Sequence, residues 1–265
     1  MRQYLRPVVA GLLLFAAACH PGFQLTRYTT NEALYAASLA QFTHHRWDDA
    51  IAGFEKLSVN LSARDTLLPR SFWYLARSYQ EQREHILAAQ TFSRLFTSFP
   101  DDSLAAAAAL RTAREYRALW PKPDLDPQYG ETALAGYSDV LQLYPPPIPQ
   151  ADTAKAEYEQ LLDQFARRDY GIGMYYFHDK AFDSARIYFA DVLAKFPNTP
   201  TARLAALRMI EAFRAVRYNQ DAADLCGVVV AKYAEDAEVK RACPGVVPAP
   251  TTVRPDTTNH GPTRR

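Results

Sequence analysis

The sequence predicts an all-α fold: a solenoid of about five antiparallel helix pairs, wound as a right-handed superhelix with one concave face. Three observations lead there. Lys180 to Pro197, KAFDSARIYFADVLAKFP, is an amphipathic helix with Ala185, Phe189 and Val192 on one stripe, closed by Phe196-Pro197. Its stencil recurs: an alanine, a ring at +4, an aliphatic residue at +7 and proline at +12 are met by Ala88, Phe92, Leu95 and Pro100, and by Ala133, Tyr137, Val140 and Pro145. Ala50, Phe54, Leu57 and Ser62 keep all but the proline, and Ala222, Cys226, Val229 and Ala234 keep the skeleton. Third, a small residue stands twelve positions before two of these alanines, Ala76 before Ala88 and Gly173 before Ala185, followed at +3 by Tyr79 and Tyr176. A recurring helix with a recurring small partner describes stacked pairs that bury their apolar faces only against one another.

This is the tetratricopeptide pattern, and the elements follow in order. Asn31 to Phe42 opens the first pair, with Leu34, Ser38 and Gln41 inward; the turn His44-His45-Arg46 and a helix from Trp47 to about Asn60 complete it. Pro69 is expected to start the first helix of repeat two, where proline's missing N–H costs nothing. The key alanines are 38, 45, 52 and 37 residues apart, above the unadorned period of about 34. Two insertions account for the excess: a proline-broken loop, Trp120 to Gln128, and a single long helix from Ala151 to Phe177. The repeats therefore fall at about 31–62, 67–100, 102–145, 151–197 and 201–234, within a domain of residues 31–243. Core positions include Ala50, Phe54, Ala76, Ala88, Phe92, Ala133, Tyr137, Gly173, Ala185 and Phe189.

The ends set the compartment. Arg2 and Arg6 precede an apolar run, Val8 to Ala18, too short to cross a bilayer and right for a signal peptide over residues 1–18. The run ends in Phe15-Ala16-Ala17-Ala18-Cys19, which resembles a bacterial lipobox, with Ala16 where leucine is usual. Cys19 is thus the expected lipid-attachment residue, and an ordinary secreted protein cleaved at the same alanines is the alternative. His20, in place of an aspartate, points to the outer membrane, and residues 19–30 are expected to form a lipidated tether. Pro244 to Arg265, with five prolines and no aromatic residue, cannot bury enough surface to fold and is expected to be a disordered tail.

Composition narrows the chemistry. Net charge is +1, and removing Arg2 and Arg6 with the leader leaves no basic excess, so nucleic acid is not an expected partner. No HExxH, GxSxG or phosphate-binding glycine loop occurs, and no acid stands isolated among apolar residues; the expectation is no enzyme and no cofactor. His44, His45, Asp48 and Asp49 crowd one turn, but acids at a helix start answer the helix dipole, and no metal is expected. Cys226 and Cys243 are left open between two thiols and a disulfide closing a loop of about seventeen residues.

Asp124 to Gln128 (DLDPQ), Arg167 to Phe182 (RRDYGIGMYYFHDKAF) and Phe196 to Val216 (FPNTPTARLAALRMIEAFRAV) add specific signal. Together with the lipobox and five repeats they resemble the BamD family, lipoproteins of the outer-membrane β-barrel assembly machinery, from about Leu34 to Tyr233. The resemblance implies a scaffold at the periplasmic face of the outer membrane, partnered by a BamA-like barrel with POTRA domains, by other assembly lipoproteins and by unfolded outer-membrane proteins. It places the barrel contact in repeats four and five, with Arg186, Tyr188, Arg203 and Arg214 as candidates. Tyr188 departs from the family, whose members can present an arginine there, and Arg203 and Arg214 equally fit helix-capping positions. For clients, the first helices of repeats one and two offer Glu32, Tyr35, Phe42, Arg70, Trp73, Arg77 and Gln80 to the groove. Rings with guanidinium groups suit an extended peptide ending in an aromatic residue and a free carboxylate. Tyr35 and Trp73 equally fit packing between neighbouring helices, with Arg77 solvated. The competing reading is another lipid-anchored periplasmic adaptor, serving cell division, envelope integrity or pilus-secretin assembly.

Overall fold

The structure, a computed structural model, describes residues 23–246. The expected signal peptide, the expected lipid-attachment residue Cys19 and residues 247–265 of the expected tail lie outside the described residues. Eleven α-helices and one 3-10 turn (Leu25–Arg27) make up the secondary structure of the described residues, with no strand among them. The helices are α1 (Asn31–Thr43), α2 (Trp47–Asn60), α3 (Leu67–Glu81), α4 (His85–Ser98), α5 (Ala105–Ala118), α6 (Gln128–Leu143), α7 (Pro149–His178), α8 (Phe182–Lys195), α9 (Pro200–Ala215), α10 (Asn219–Lys232) and α11 (Ala237–Ala242).

Two compact units divide the described chain. One holds residues 23–119 and 135–151, the other residues 120–134 and 152–246. In the first, α1 to α5 pack in chain order, each against the next. The stencil positions explain why: Ala50, Phe54, Leu57, Ala76, Ala88, Phe92 and Leu95 are all fully buried in one apolar cluster. Small residues set the approach of the helices. A methyl group at Gly53 would fall 2.0 Å from the Ser38 hydroxyl oxygen, and one at Gly136 would touch the Ala113 side chain at 3.0 Å. In the second unit, Ala185, Phe189 and Val192 of α8 pack with Ala202 and Ala205 of α9, and Gly173 of α7 faces the Phe189 ring at a distance that no side chain could share.

The turns inside the pairs share one device. His45, Arg83, Lys180 and Arg217 have φ between 58° and 65°, and each stands five residues before a stencil alanine. In each case the residue after it donates its N–H to a carbonyl five residues back (Arg46 to Gln41, Glu84 to Tyr79, Ala181 to Tyr176, Tyr218 to Phe213). This closes the preceding helix with the left-handed residue usual at a helix C-terminus, here supplied by side chains other than glycine. Repeat three lacks it because the Trp120 insertion intervenes. There Trp120 is buried, its ring against Phe165 at 4.3 Å and its Nε1 donating to Leu125 O at 3.1 Å. Gly130 is required beneath that ring, and Asp126 accepts the Gln128 N–H to start α6.

Four boundaries differ from the sequence reading. α3 begins at Leu67, whose N–H is taken by the Asp65 carboxylate at 2.8 Å, and Pro69 sits later in the first turn, where its missing N–H is still harmless. Within the expected tether of residues 19–30, Phe23, Leu25 and Tyr28 pack against the core of repeat one. A short helix, α11, follows repeat five, and Cys226 of α10 is joined to Cys243 by a disulfide. Val246 packs on the same C-terminal cluster, so folded chain extends beyond residue 243.

Candidate functional site

Within the first unit, α1 and α3 lie side by side and present the groove candidates in two groups. Near their N-terminal ends, Tyr35 sets its ring edge-on to Phe54 at 5.8 Å and Tyr74 at 6.5 Å. Burial, then Tyr74, raises the Tyr35 phenol, and the nearby Arg70 opposes the shift. Arg70 itself is exposed and lines an open cavity of about 550 Å³ with Arg64, Asp65, Asp102 and Ser103. Glu32 is exposed in the first turn of α1.

Toward the C-terminal ends, the Phe42 ring meets Trp47 at 5.2 Å and Tyr74 at 5.1 Å, and the Arg77 guanidinium stands 6.0 Å above it. Arg77 Nε is buried without a hydrogen-bond partner, while its Nη2 reaches Glu81 at 3.5 Å. Trp73 is half-buried edge-on to Phe92 at 5.5 Å. Above Trp73, at 5.2 Å, lies Arg111 of α5, a residue that the sequence reading did not single out. Burial, followed by the Arg77 and Arg114 charges, lowers the Arg111 guanidinium from its ordinary value. Arg111 also donates to Gln80 Oε1 at 2.9 Å, and Gln80 in turn donates to the buried Glu115 at 2.5 Å. The second oxygen of Glu115 lies 2.7 Å from His85 Nδ1. Gln80 is therefore one member of a half-buried polar chain across α3, α4 and α5. The signal for Arg111 and Glu115 was hidden because the insertion after α5 breaks the twelve-residue spacing that places a first helix in register.

The second unit commits most of its candidate arginines internally. Arg186 pairs with Asp183 at 2.9 Å, and its guanidinium lies 5.0 Å from the Phe213 ring and 4.9 Å from that of Tyr218. Arg203 bridges α9 to the start of α11 through Asp236 (3.1 Å) and Glu238 (2.8 Å). The hydrogen bond to Glu238 is the main reason that its pKa is raised. Arg214 is exposed, with Nη2 3.8 Å from Cys226 Sγ. Tyr188 does not join Arg186; two residues on, it turns away and stacks on Tyr176 with ring centroids 5.4 Å apart. Tyr176 raises the Tyr188 phenol. Tyr175, 70% exposed, sets its ring edge-on to Tyr176, and Ile187, next to Tyr188 in sequence, is 65% exposed; neither was foreseen. At the His44-His45 turn, His45 packs edge-on to Trp47 and Asp48 accepts from Gln82. Among the described residues no three histidine, cysteine or acidic side chains are placed to hold a metal ion.

Helix pairs closed by left-handed turns, knitted by alanine and glycine positions, define a helical-repeat protein of the tetratricopeptide class. Residues 27–225 match the family described as YfiO, outer membrane lipoprotein. The chain belongs to this family of outer membrane lipoproteins. It is also similar to an outer membrane protein assembly factor BamD from Caulobacter vibrioides, with 24% identity over 196 residues, or 72% of this chain. The match spans 62% of the length of that curated relative. Among solved structures, the P58(IPK) TPR domain is similar at a TM-score of 0.43 and 14% identity, covering 80% of this chain and 54% of that one. A thermophilic TPR protein from Thermus thermophilus is similar at a TM-score of 0.35 and 15% identity, covering 80% and 97%.

Proposed function

We propose that this protein is a non-enzymatic scaffold of the outer-membrane β-barrel assembly machinery, anchored by acyl chains on Cys19 at the periplasmic face. The observation that carries the reading is the match of residues 27–225 to an outer membrane lipoprotein family, since it spans nearly all of the helical repeats. In this reading the second unit docks on a BamA-like barrel through its periplasmic POTRA domains, with accessory lipoproteins alongside. The tyrosine stack of Tyr176 and Tyr188, with the exposed Tyr175 and Ile187, supports an apolar and aromatic contact there. Arg186, held by Asp183 and two rings, supports the shape of that face more than it supplies a free charge. The first unit takes unfolded outer-membrane proteins along α1, α3 and α5, where Phe42 and Trp73 offer ring faces and Arg77 and Arg111 offer charge. Burial of part of each ring leaves the remainder to a ligand, and a guanidinium beside it can take a carboxylate by paired hydrogen bonds.

Purification of a tagged full-length chain from membranes tests the proposal. A barrel protein carrying POTRA domains is expected to co-purify, and Tyr188→Ala together with Ile187→Ala is expected to release it. Recovery of the chain without any such barrel, but with division or secretin components, would replace this function with that of another lipid-anchored adaptor.

A further inference from the structure

Packed residues occur close in sequence to the expected lipid. Phe23 packs beside Gly53 and Ser38, where a methyl group on Gly53 would sit 3.2 Å from the Phe23 ring. The Phe23 and Tyr28 rings meet at 5.6 Å, Leu25 joins the core of repeat one, and Lys56 of α2 donates to the Leu25 carbonyl at 3.3 Å. Thr30 then caps α1 by accepting the Ala33 N–H. Only His20, Pro21 and Gly22 separate Cys19 from this fixed segment.

Covalent geometry sets the consequence. Four residue steps reach at most about 14 Å from the Cys19 Cα to the Phe23 Cα. A cysteine whose acyl chains lie in the hydrocarbon must first cross a headgroup layer of about 5–7 Å. What remains, about 7–9 Å, is less than the width of one helix with its side chains. Charge agrees with a lipid surface: no acid occurs from Cys19 to Asn31, while Arg27 lies within this stretch and Lys56 beneath it. Headgroups of anionic phospholipid favour such a stretch. One turn beyond Lys56 on α2, Val59 is 82% exposed, the most exposed of the large apolar side chains among the described residues.

We propose that the segment of residues 23–28 and the adjoining part of α2 lie against the phospholipid leaflet that holds the Cys19 acyl chains, kept there by the short link. This rests on the lipid-anchored reading above. Repeat one is then a membrane-facing element, and the protein does not swing on a free leash.

The test uses the full chain, matured with its own leader and reconstituted in phosphatidylethanolamine/phosphatidylglycerol vesicles. A fluorophore is placed on Thr26→Cys, Val59→Cys or, as a reference on α5, Ala118→Cys; nitroxide-labelled lipid is the quencher. Cys226 and Cys243 are paired and do not compete for the label. Strong quenching at positions 26 and 59 with little at 118 is the expected result. Inserting about fifteen Gly/Ser residues between Gly22 and Phe23, which adds a root-mean-square reach of about 20 Å, should abolish most of it. Protein that pellets with the vesicles but is quenched equally at all three positions overturns the docking alone, and quenching kept at positions 26 and 59 with the long link overturns the short link as what holds the segment there. Protein left in the supernatant with an unacylated mass overturns the lipid anchor and the docking together.

Discussion

Gly171 and Gly173 share one helix, two residues apart, and provide a matched pair for testing the packing. At Gly173 an added methyl group would lie 2.6 Å from Phe189 Cε1 and 2.8 Å from Cδ1, inside van der Waals contact with a ring that is itself fully buried. At Gly171 nothing lies within 4 Å of the same methyl group. Alanine in place of glycine inside a helix gains about 1 kcal/mol from backbone propensity. Gly171→Ala should collect that gain in full. Gly173→Ala must set it against overpacking of about 1–3 kcal/mol, because neither the ring nor the helix backbone can withdraw freely. The expected order of stability is therefore Gly171→Ala above wild type, with Gly173→Ala below it by about 1 kcal/mol and Gly173→Leu lower still. For a chain of this size each kcal/mol moves the thermal midpoint by about 2–4 °C, readily seen by circular dichroism. Phe189→Leu should cost less in the Gly173→Ala background than in wild type, since the smaller side chain makes room for the methyl group. If Gly173→Ala proved as stable as Gly171→Ala, the register of α7 against α8 would be wrong.

Other outcomes follow from single contacts. Reducing the Cys226–Cys243 disulfide, which spans 17 residues, should cost the second unit about 3 kcal/mol, read as a lower urea midpoint in reductant. Glu115→Leu strands the Gln80 and His85 donors and should lower stability by about 1–3 kcal/mol; a midpoint equal to wild type would sink the polar chain as a structural element. Arg83→Pro replaces a residue at φ 61° whose N–H is bonded to Gln80 O, and should cost about 3 kcal/mol or more in thermal unfolding. The Val239 and Glu238 N–H groups, with Arg203, hold the Asp236 carboxyl below its ordinary value of 3.8. Its cap on α11 is thus fully present above that value and is lost as pH falls through the lower folded one, so the protection of α11 amides relative to unstructured ones should drop only in acid. Titration with a peptide ending in an aromatic residue should weaken by at least about 1 kcal/mol in Trp73→Ala, Arg77→Ala and Arg111→Ala, with unchanged helicity; full affinity in all three would remove the groove from consideration.

The helix pairs, their boundaries within a few residues and the buried stencil were legible in the sequence because each is local. A 3.6-residue apolar period and a small residue at fixed spacing act within one pair, and repetition presents the same message several times. Even the insertions announced themselves, one by its prolines and the other by excess length between alanines. Contacts between helices distant in sequence carried no such mark. Arg111 over Trp73, Arg186 between Phe213 and Tyr218, and Asp163 accepting the Thr201 N–H 38 residues away all depend on which rotamers the assembled helices leave open. Residues 23–28 looked like a tether because a short aromatic segment has no period of its own; only the packing of Phe23 beside Gly53, and of Leu25 and Tyr28 on the core of repeat one, makes it part of the fold. The sequence left Cys226 and Cys243 open between thiols and a disulfide; in the structure they are joined, the second cysteine standing at the C-terminal end of α11, the short helix that Asp236 caps. Tertiary structure decided which polar side chains are spent internally, since a guanidinium or carboxylate desolvated by packing must find its partners there.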